Sequence, residues 1–188
     1  MLASDHELLL KSVHAPGQFG KRPEDEADAA LLNQLLSVAM LCNNASIVGG
    51  DPMEVALLRM AEDFHADRDR RIEQLPEVQE IAFDPDTKMM ATVHRISDQE
   101  YLYAVKGAPE SVFAVLAADQ RPSNAAARWR PRADEMAKSG LRVLALAGKT
   151  APSMSEAPYE GLVLYGLADP PREDVAESIE RCQAAGVR

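Results

Sequence analysis

The sequence predicts one domain of mixed helices and antiparallel strands, and three features point that way. Apolar residues recur at helical spacing between Glu24 and Ala61, the period drops to two between Glu77 and Val105, and short turn sequences join the alternating runs. A length of 188 residues suits one domain, or one domain with part of a second, and a 46% hydrophobic content supports a buried core.

Residues 1–25 read as an irregular lead-in segment, with a short strand near Glu7 to Val13 and a loop holding Pro16, Gly17, Gly20 and Pro23. A first helix follows. Leu31, Leu32, Leu35, Val38, Ala39 and Cys42 form its apolar stripe, and Glu24, Asp25, Glu26 and Asp28 crowd its first turn, where the helix dipole favours carboxylates. Asn43-Asn44 and Gly49-Gly50 end it. A second helix opens at Asp51-Pro52-Met53-Glu54. Asp51 can cap, Pro52 fits the first helical position, and Glu54 stands where a capping box places its acid. Val55, Leu57, Leu58 and Ala61 supply the buried face.

Beyond the charged stretch Asp67 to Glu73, two alternating runs, Glu77 to Phe83 and Lys88 to Ile96, flank Asp84-Pro85-Asp86-Thr87, which predicts a hairpin. Ser97-Asp98-Gln99 turns into a third strand, Glu100 to Val105, so three antiparallel neighbours are expected. A helix after Pro109, a helical stretch Ala125 to Lys138 interrupted by Pro131, a stop at Gly140 and strands Leu141 to Ala147 and Gly161 to Ala168 complete the unit. Asp169-Pro170-Pro171-Arg172 then punctuates the chain before a last helix, Glu173 to Ala185.

Thirty acidic against twenty basic residues give a net charge of −10, which argues against sequence-independent binding to nucleic acid. No run approaches the roughly 20 apolar residues of a membrane span, and no basic-then-apolar signal segment opens the chain. Cys42 and Cys182 have no ligand-spaced partners and read as reduced structural thiols. His6, His14, His65 and His94 are scattered and read as solvent or loop residues, so neither a metal site nor a hydrolase triad is expected. Lys106-Gly107-Ala108-Pro109-Glu110 stands out instead. A strand that ends in Lys-Gly sets an ammonium beside bare backbone, where a flat or phosphorylated ligand can come close.

Five segments in order, Gly50 to Leu57 (with Asp51-Pro52-Met53-Glu54), Phe83 with Lys88 and Met90, Lys106 to Glu110, Leu141 to Ala147, and Asp169 to Arg172, resemble the nucleotide-binding domain of P-type cation-transporting ATPases. The resemblance runs from about Glu26 to Arg188 and implies an α+β fold, a twisted antiparallel β-sheet flanked by helices. It implies a nucleotide-binding domain over residues 1–168, then a hinge (Asp169, Pro170, Pro171, Arg172) and the start of a phosphorylation domain over 169–188. The phosphorylation segment Asp-Lys-Thr-Gly-Thr and a downstream metal-binding segment are absent from the chain, so no catalytic residue is assigned and magnesium is expected only in the full-length enzyme.

Carried onto this sequence, the resemblance implies that adenine stacks on Phe83, that Glu54 accepts from its amino group, and that Lys88, Met90, Lys106, Gly107, Ala108, Arg142 and Leu144 line the rest of the nucleotide site. Each has a plain alternative. Phe83 can be a core aromatic, Glu54 half of a capping box, Lys88 and Lys106 solvated lysines, and Arg142 the partner of an acid. Lys88 and Met90, two apart on a strand, are expected to share a face. Many relatives carry an arginine two residues after the phenylalanine, where this chain has Pro85. The lost phosphate contact of roughly 1.5–3 kcal/mol predicts weak ATP binding unless Arg95 or another cation substitutes. The expectation is therefore the cytoplasmic ATP-binding domain of a membrane pump. It would be monomeric as a fragment, without direct membrane contact, and partnered by ATP and by the pump's phosphorylation and membrane domains. The alternative is a regulatory or protein-interaction module that has lost nucleotide binding.

Overall fold

The computed structural model describes residues 9–12, 26–116, 125–152, 160–167 and 175–186. Within them a six-stranded sheet runs in the order β1-β6-β5-β4-β3-β2, built from β1 (Leu9–Ser12), β2 (Glu77–Asp84), β3 (Met89–Ser97), β4 (Glu100–Gly107), β5 (Arg142–Ala151) and β6 (Glu160–Leu167). Strands β2 to β6 are antiparallel to their neighbours, while β1 joins β6 in parallel. The helices are α1 (Glu26–Leu41), α2 (Pro52–Asp63), α3 (Arg68–Gln74), α4 (Pro109–Val115), α5 (Ala125–Lys138) and α6 (Val175–Ala184). This is the expected α+β architecture. The loop expected over Pro16 to Pro23 and the hinge expected at Asp169, Pro170, Pro171 and Arg172 lie outside the described residues.

Strand alternation divides the sheet between two helix layers. Met90, Ala104 and Leu146 point to one face and join Leu32, Leu36 and Val38 of α1 and Leu57 and Met60 of α2. Ala91, Val105, Ala145 and Ala147 point to the other, onto Val112 and Phe113 of α4 and Trp129, Ala133 and Met136 of α5. Each fully buried leucine or methionine contributes about 1.5–3 kcal/mol. The C-terminal half of α1 is buried on every side, Ser37 included, because α2, α3, β4 and β5 all press on it.

The charged stretch after α2 is a helix that apolar periodicity did not predict. Asp67 caps α3 by accepting from the Arg70 N–H at 3.0 Å, and no residue of the helix is buried. Arginines attach it instead. Arg68 donates from Nε to the Met40 carbonyl (3.2 Å), from Nη1 to Ala45 (2.8 Å) and from Nη2 to Asn43 (2.9 Å), while Arg71 Nε reaches Ser37 Oγ at 3.0 Å. Helix α5 also differs from expectation, since it runs through Pro131 without a break. One missing N–H and a ring clash cost about 3 kcal/mol, and Trp129, Ala133 and Met136, packed on the sheet, offset that. Gly140 stops the helix in the left-handed region (φ 80°), letting Leu141 N–H reach back to the Met136 carbonyl at 3.2 Å.

Candidate functional site

The β2–β3 turn is closed by Asp84, whose carbonyl accepts from Lys88 N–H at 2.7 Å and whose carboxylate accepts from Asp86 N–H (2.9 Å) and Thr87 Oγ1 (3.1 Å). Those bonds, the Asp86 N–H first, hold the Asp84 carboxyl below its ordinary value. Just before the turn the ladder slips. Ile81 pairs with Ala91 and Asp84 with Met89, so Ala82 and Phe83 together oppose Met90. That is a β-bulge, and it turns Phe83 to the face that Met90 shares with α1 and α2. Phe83 is 61% exposed there. It is not a core aromatic.

Met90 pairs across the ladder with Lys106, which is only 7% exposed. The Lys106 ammonium is paired with Glu54 Oε1 in the first turn of α2. The capping box therefore forms on one side only. Asp51 Oδ1 accepts from Met53 N–H (2.9 Å) and Glu54 N–H (3.3 Å), but the Glu54 carboxylate turns away to Lys106 and to the Asn44 N–H, 3.2 Å from Oε2. Asn44 also donates from Nδ2 to Glu80 Oε1 at 2.8 Å, which ties the α1–α2 loop to β2 three residues before Phe83. In the sequence alone Asn44 marks only the end of a helix, and nothing sets Glu80 apart from its strand neighbours. The loop's second amide, in Asn43-Asn44, is the signal the sequence carries.

The other predicted residues divide. Leu144 packs on the α1–α2 core, and alternation sets exposed Arg142 on the same face, two residues along β5. Arg142 has no hydrogen-bonding partner among the described residues. Lys88 does not share a face with Met90 as expected. It lies in the turn with φ 55°, ahead of the strand, and its Nζ pairs with Glu110 Oε1 at 3.2 Å, both side chains largely exposed. Gly107 has a local duty: a Cβ there would strike the Lys88 carbonyl and come within 2.8 Å of Met89 Cγ. The Ala108 N–H donates to that same carbonyl at 3.0 Å as α4 begins. Arg95 cannot stand in for the missing arginine, because it sits six residues beyond Met89 on β3, about 20 Å along the strand.

Two further groups are structural. Cys42 lies buried with its Sγ 3.5 Å from the Met90 carbonyl, and burial pushes its thiol up to about 11, which keeps it inert. His94 is no loop residue. It is buried on β3, its Nδ1 3.0 Å from the Leu75 carbonyl and its Nε2 2.9 Å from Thr92 Oγ1, an arrangement in which Nδ1 donates and Thr92 donates to Nε2. A shallow cleft between α4 and α5, near Phe113, Arg130 and Asp134, lies on the opposite face and contains none of Glu54, Phe83, Met90 or Lys106. Among the described residues no cluster of three or more His, Cys, Asp or Glu could hold a metal ion, and no helix is long and apolar enough to cross a membrane.

Phe83, Met90, Lys106, Leu144 and Arg142 thus occupy one end of one sheet face, with Glu54 above them. A family model described as the P-type ATPase cytoplasmic domain N matches residues 31–174 of this domain. The chain belongs to that family and is a cytoplasmic domain of the P-type cation ATPases. It is 31% identical over 189 residues to the calcium-transporting ATPase lmo0841 of Listeria monocytogenes, covering 90% of this chain and 21% of the relative. It is 34% identical over 178 residues to calcium-transporting ATPase 1 of Bacillus cereus (82% and 19%), and 32% identical over 199 residues to the cation-transporting ATPase pma1 of a Synechocystis strain (91% and 22%). The chain spans about a fifth of the length of these curated relatives.

Proposed function

We propose that this domain binds ATP for a cation-transporting pump and positions it for phosphoryl transfer to an aspartate elsewhere in the pump. The observation that carries the reading is the convergence of an exposed aromatic, a buried Lys–Glu pair and an exposed arginine, without a hydrogen-bonding partner among the described residues, on one end of one sheet face. An adenine ring can lie on Phe83 with its amino edge towards Glu54, while Lys106 and Arg142 offer positive charge towards the phosphates. Met90 and Leu144 supply an apolar floor. Lys88, Gly107 and Ala108 bound the site through the turn they brace. Binding energy here serves delivery. A bound nucleotide becomes a local reactant for the phosphorylation domain, with residues 169–172 as the hinge and magnesium supplied in the complete pump.

Lys106 starts out paired, and Pro85 replaces a phosphate-binding arginine. Both keep affinity low, with a dissociation constant on the order of 0.1–10 mM, equivalent to about 3–5 kcal/mol. The same two facts favour the alternative, a regulatory module without nucleotide. Titrating ATP while following backbone amide shifts separates them. Shifts confined to the neighbourhoods of Glu54, Phe83 and Lys106, with no phosphate release, are the expected result. A silent titration supports the alternative, and turnover by the chain alone overturns the delivery role.

A further inference from the structure

We infer that Asn44 is a positioning residue for the nucleotide base, a bracket that sets the spacing between the Glu54 carboxylate and the strand that bears Phe83. The inference rests on the ATP-binding reading and extends it to a residue that would not touch the base.

Asn44 makes one bond to each side of the slot. Its backbone N–H donates to Glu54 Oε2 at 3.2 Å, so the carboxylate, with Oε1 taken by Lys106, is held at both oxygens. Its side-chain Nδ2 donates to Glu80 Oε1 at 2.8 Å, three residues before Phe83 on β2. β2 is the last strand of the described sheet, with a neighbour only on the β3 side, and its ladder to β3 slips twice, at Glu77/Gln79 and at Ile81/Asp84. An edge strand with two bulges is weakly fixed by its own ladder. The bond from Asn44 adds a tie between those two slips.

The bracket is itself anchored from behind. Asn43 Nδ2 donates to the Ala39 and Glu54 carbonyls, both at 3.0 Å, and its Oδ1 accepts from Ala45 N–H at 2.9 Å, while Arg68 holds the Asn43 and Ala45 carbonyls on either side. The residues flanking Asn44 are thus fixed, and only its own two donors reach outward. A loop clamped so heavily for two outward bonds has the form of a support for the groups it holds.

The test uses the chain with Asn44→Ala, Glu80→Ala, Glu80→Gln and the Asn44→Ala/Glu80→Ala double variant, titrated with ATP, adenosine and tripolyphosphate. Either alanine variant should weaken ATP and adenosine by a similar factor, roughly three- to tenfold, and leave tripolyphosphate unchanged. The double variant should be no weaker than either single one, because both remove the same bond. Glu80→Gln keeps an acceptor oxygen and should retain affinity, which a purely electrostatic role for Glu80 would not allow. Melting temperatures within a few degrees of the parent chain would confirm that the fold survives. Unchanged adenosine affinity in Asn44→Ala, additive losses, or equal loss of tripolyphosphate binding would each overturn the inference while leaving ATP binding intact. If the parent chain binds no ATP, the inference falls together with the function it extends.

Discussion

Phe83 carries 61% of its surface in solvent on an edge strand, and that exposure separates its two roles by experiment. Truncating a buried phenylalanine costs about 3–5 kcal/mol of stability, whereas Phe83→Ala should leave the melting temperature nearly unchanged. ATP binding should instead lose roughly 1–3 kcal/mol, which on a millimolar background means no measurable shift. Pro85→Arg is the converse. It replaces a turn residue next to Asp84, gives up about 0.4–1 kcal/mol of unfolded-chain restriction, and should tighten ATP but not adenosine, since only ATP offers a phosphate. An equal gain for adenosine would remove the phosphate contact from the argument. At this scale residue types single out Phe83, Lys106 and Glu54 as candidates, but not the geometry that brings them together. Phe83 reaches the face of Met90 and Lys106 only through a bulge, which simple alternation from Ile81 does not foresee. Lys88 leaves that face because it closes a turn, and Gly107 answers first to the crowding of Lys88 and Met89.

Elements were legible where burial is apolar and obscure where it is polar. The strands and the hairpin announced themselves by period and turn chemistry, as did α2 through Asp51 and Pro52. Helix α3 did not, because its attachment to the fold runs through arginine heads rather than an apolar stripe. That gives α3 a distinct prediction. Arg68 satisfies carbonyls at the end of α1 and in the α1–α2 loop, and Arg68→Ala should cost about 2–4 kcal/mol in urea denaturation, far above the roughly 0.5 kcal/mol of an ordinary surface change. Arg68→Lys should recover only part of this, since one ammonium cannot reproduce a planar fork that spans three carbonyls. A loss below about 1 kcal/mol for the alanine variant would mean that water replaces those bonds at little cost.

For the whole molecule, the order of the strands and the allocation of residues to two helix layers depend on long-range pairing, and no local pattern in the chain encodes that β1 adds beside β6 or that His94 ends in the core. His94 makes the stability of the entire fold sensitive to mild acid. Burial, partly opposed by the Leu75 carbonyl, lowers its pKa from the ordinary 6.5, so the folded protein holds it neutral. In the unfolded chain it regains its ordinary value. Above about pH 6.5 neither state binds the proton and His94 contributes no pH dependence; below that the unfolded state takes it up first, and stability falls with a slope of at most about 1.4 kcal/mol per pH unit until the folded value is passed. Asp84 and Glu110, whose carboxyls sit below ordinary values of 3.8 and 4.5, lose their contributions only in stronger acid. Glu77, the cross-strand partner of His94, is shifted the other way, its carboxyl raised above 4.5 by burial and by Glu80, and it opposes the decline at the acid end, so between about pH 5 and 6.5 the histidine is read by comparison with a variant that lacks it. Urea midpoints measured across that range should decline for the parent chain and run flatter for His94→Gln, whose amide can meet the Leu75 carbonyl and Thr92 Oγ1 without titrating. The slope is the readout rather than the level, because the substitution itself can lower stability at every pH. Parallel declines in the two proteins would place the acid sensitivity on other groups.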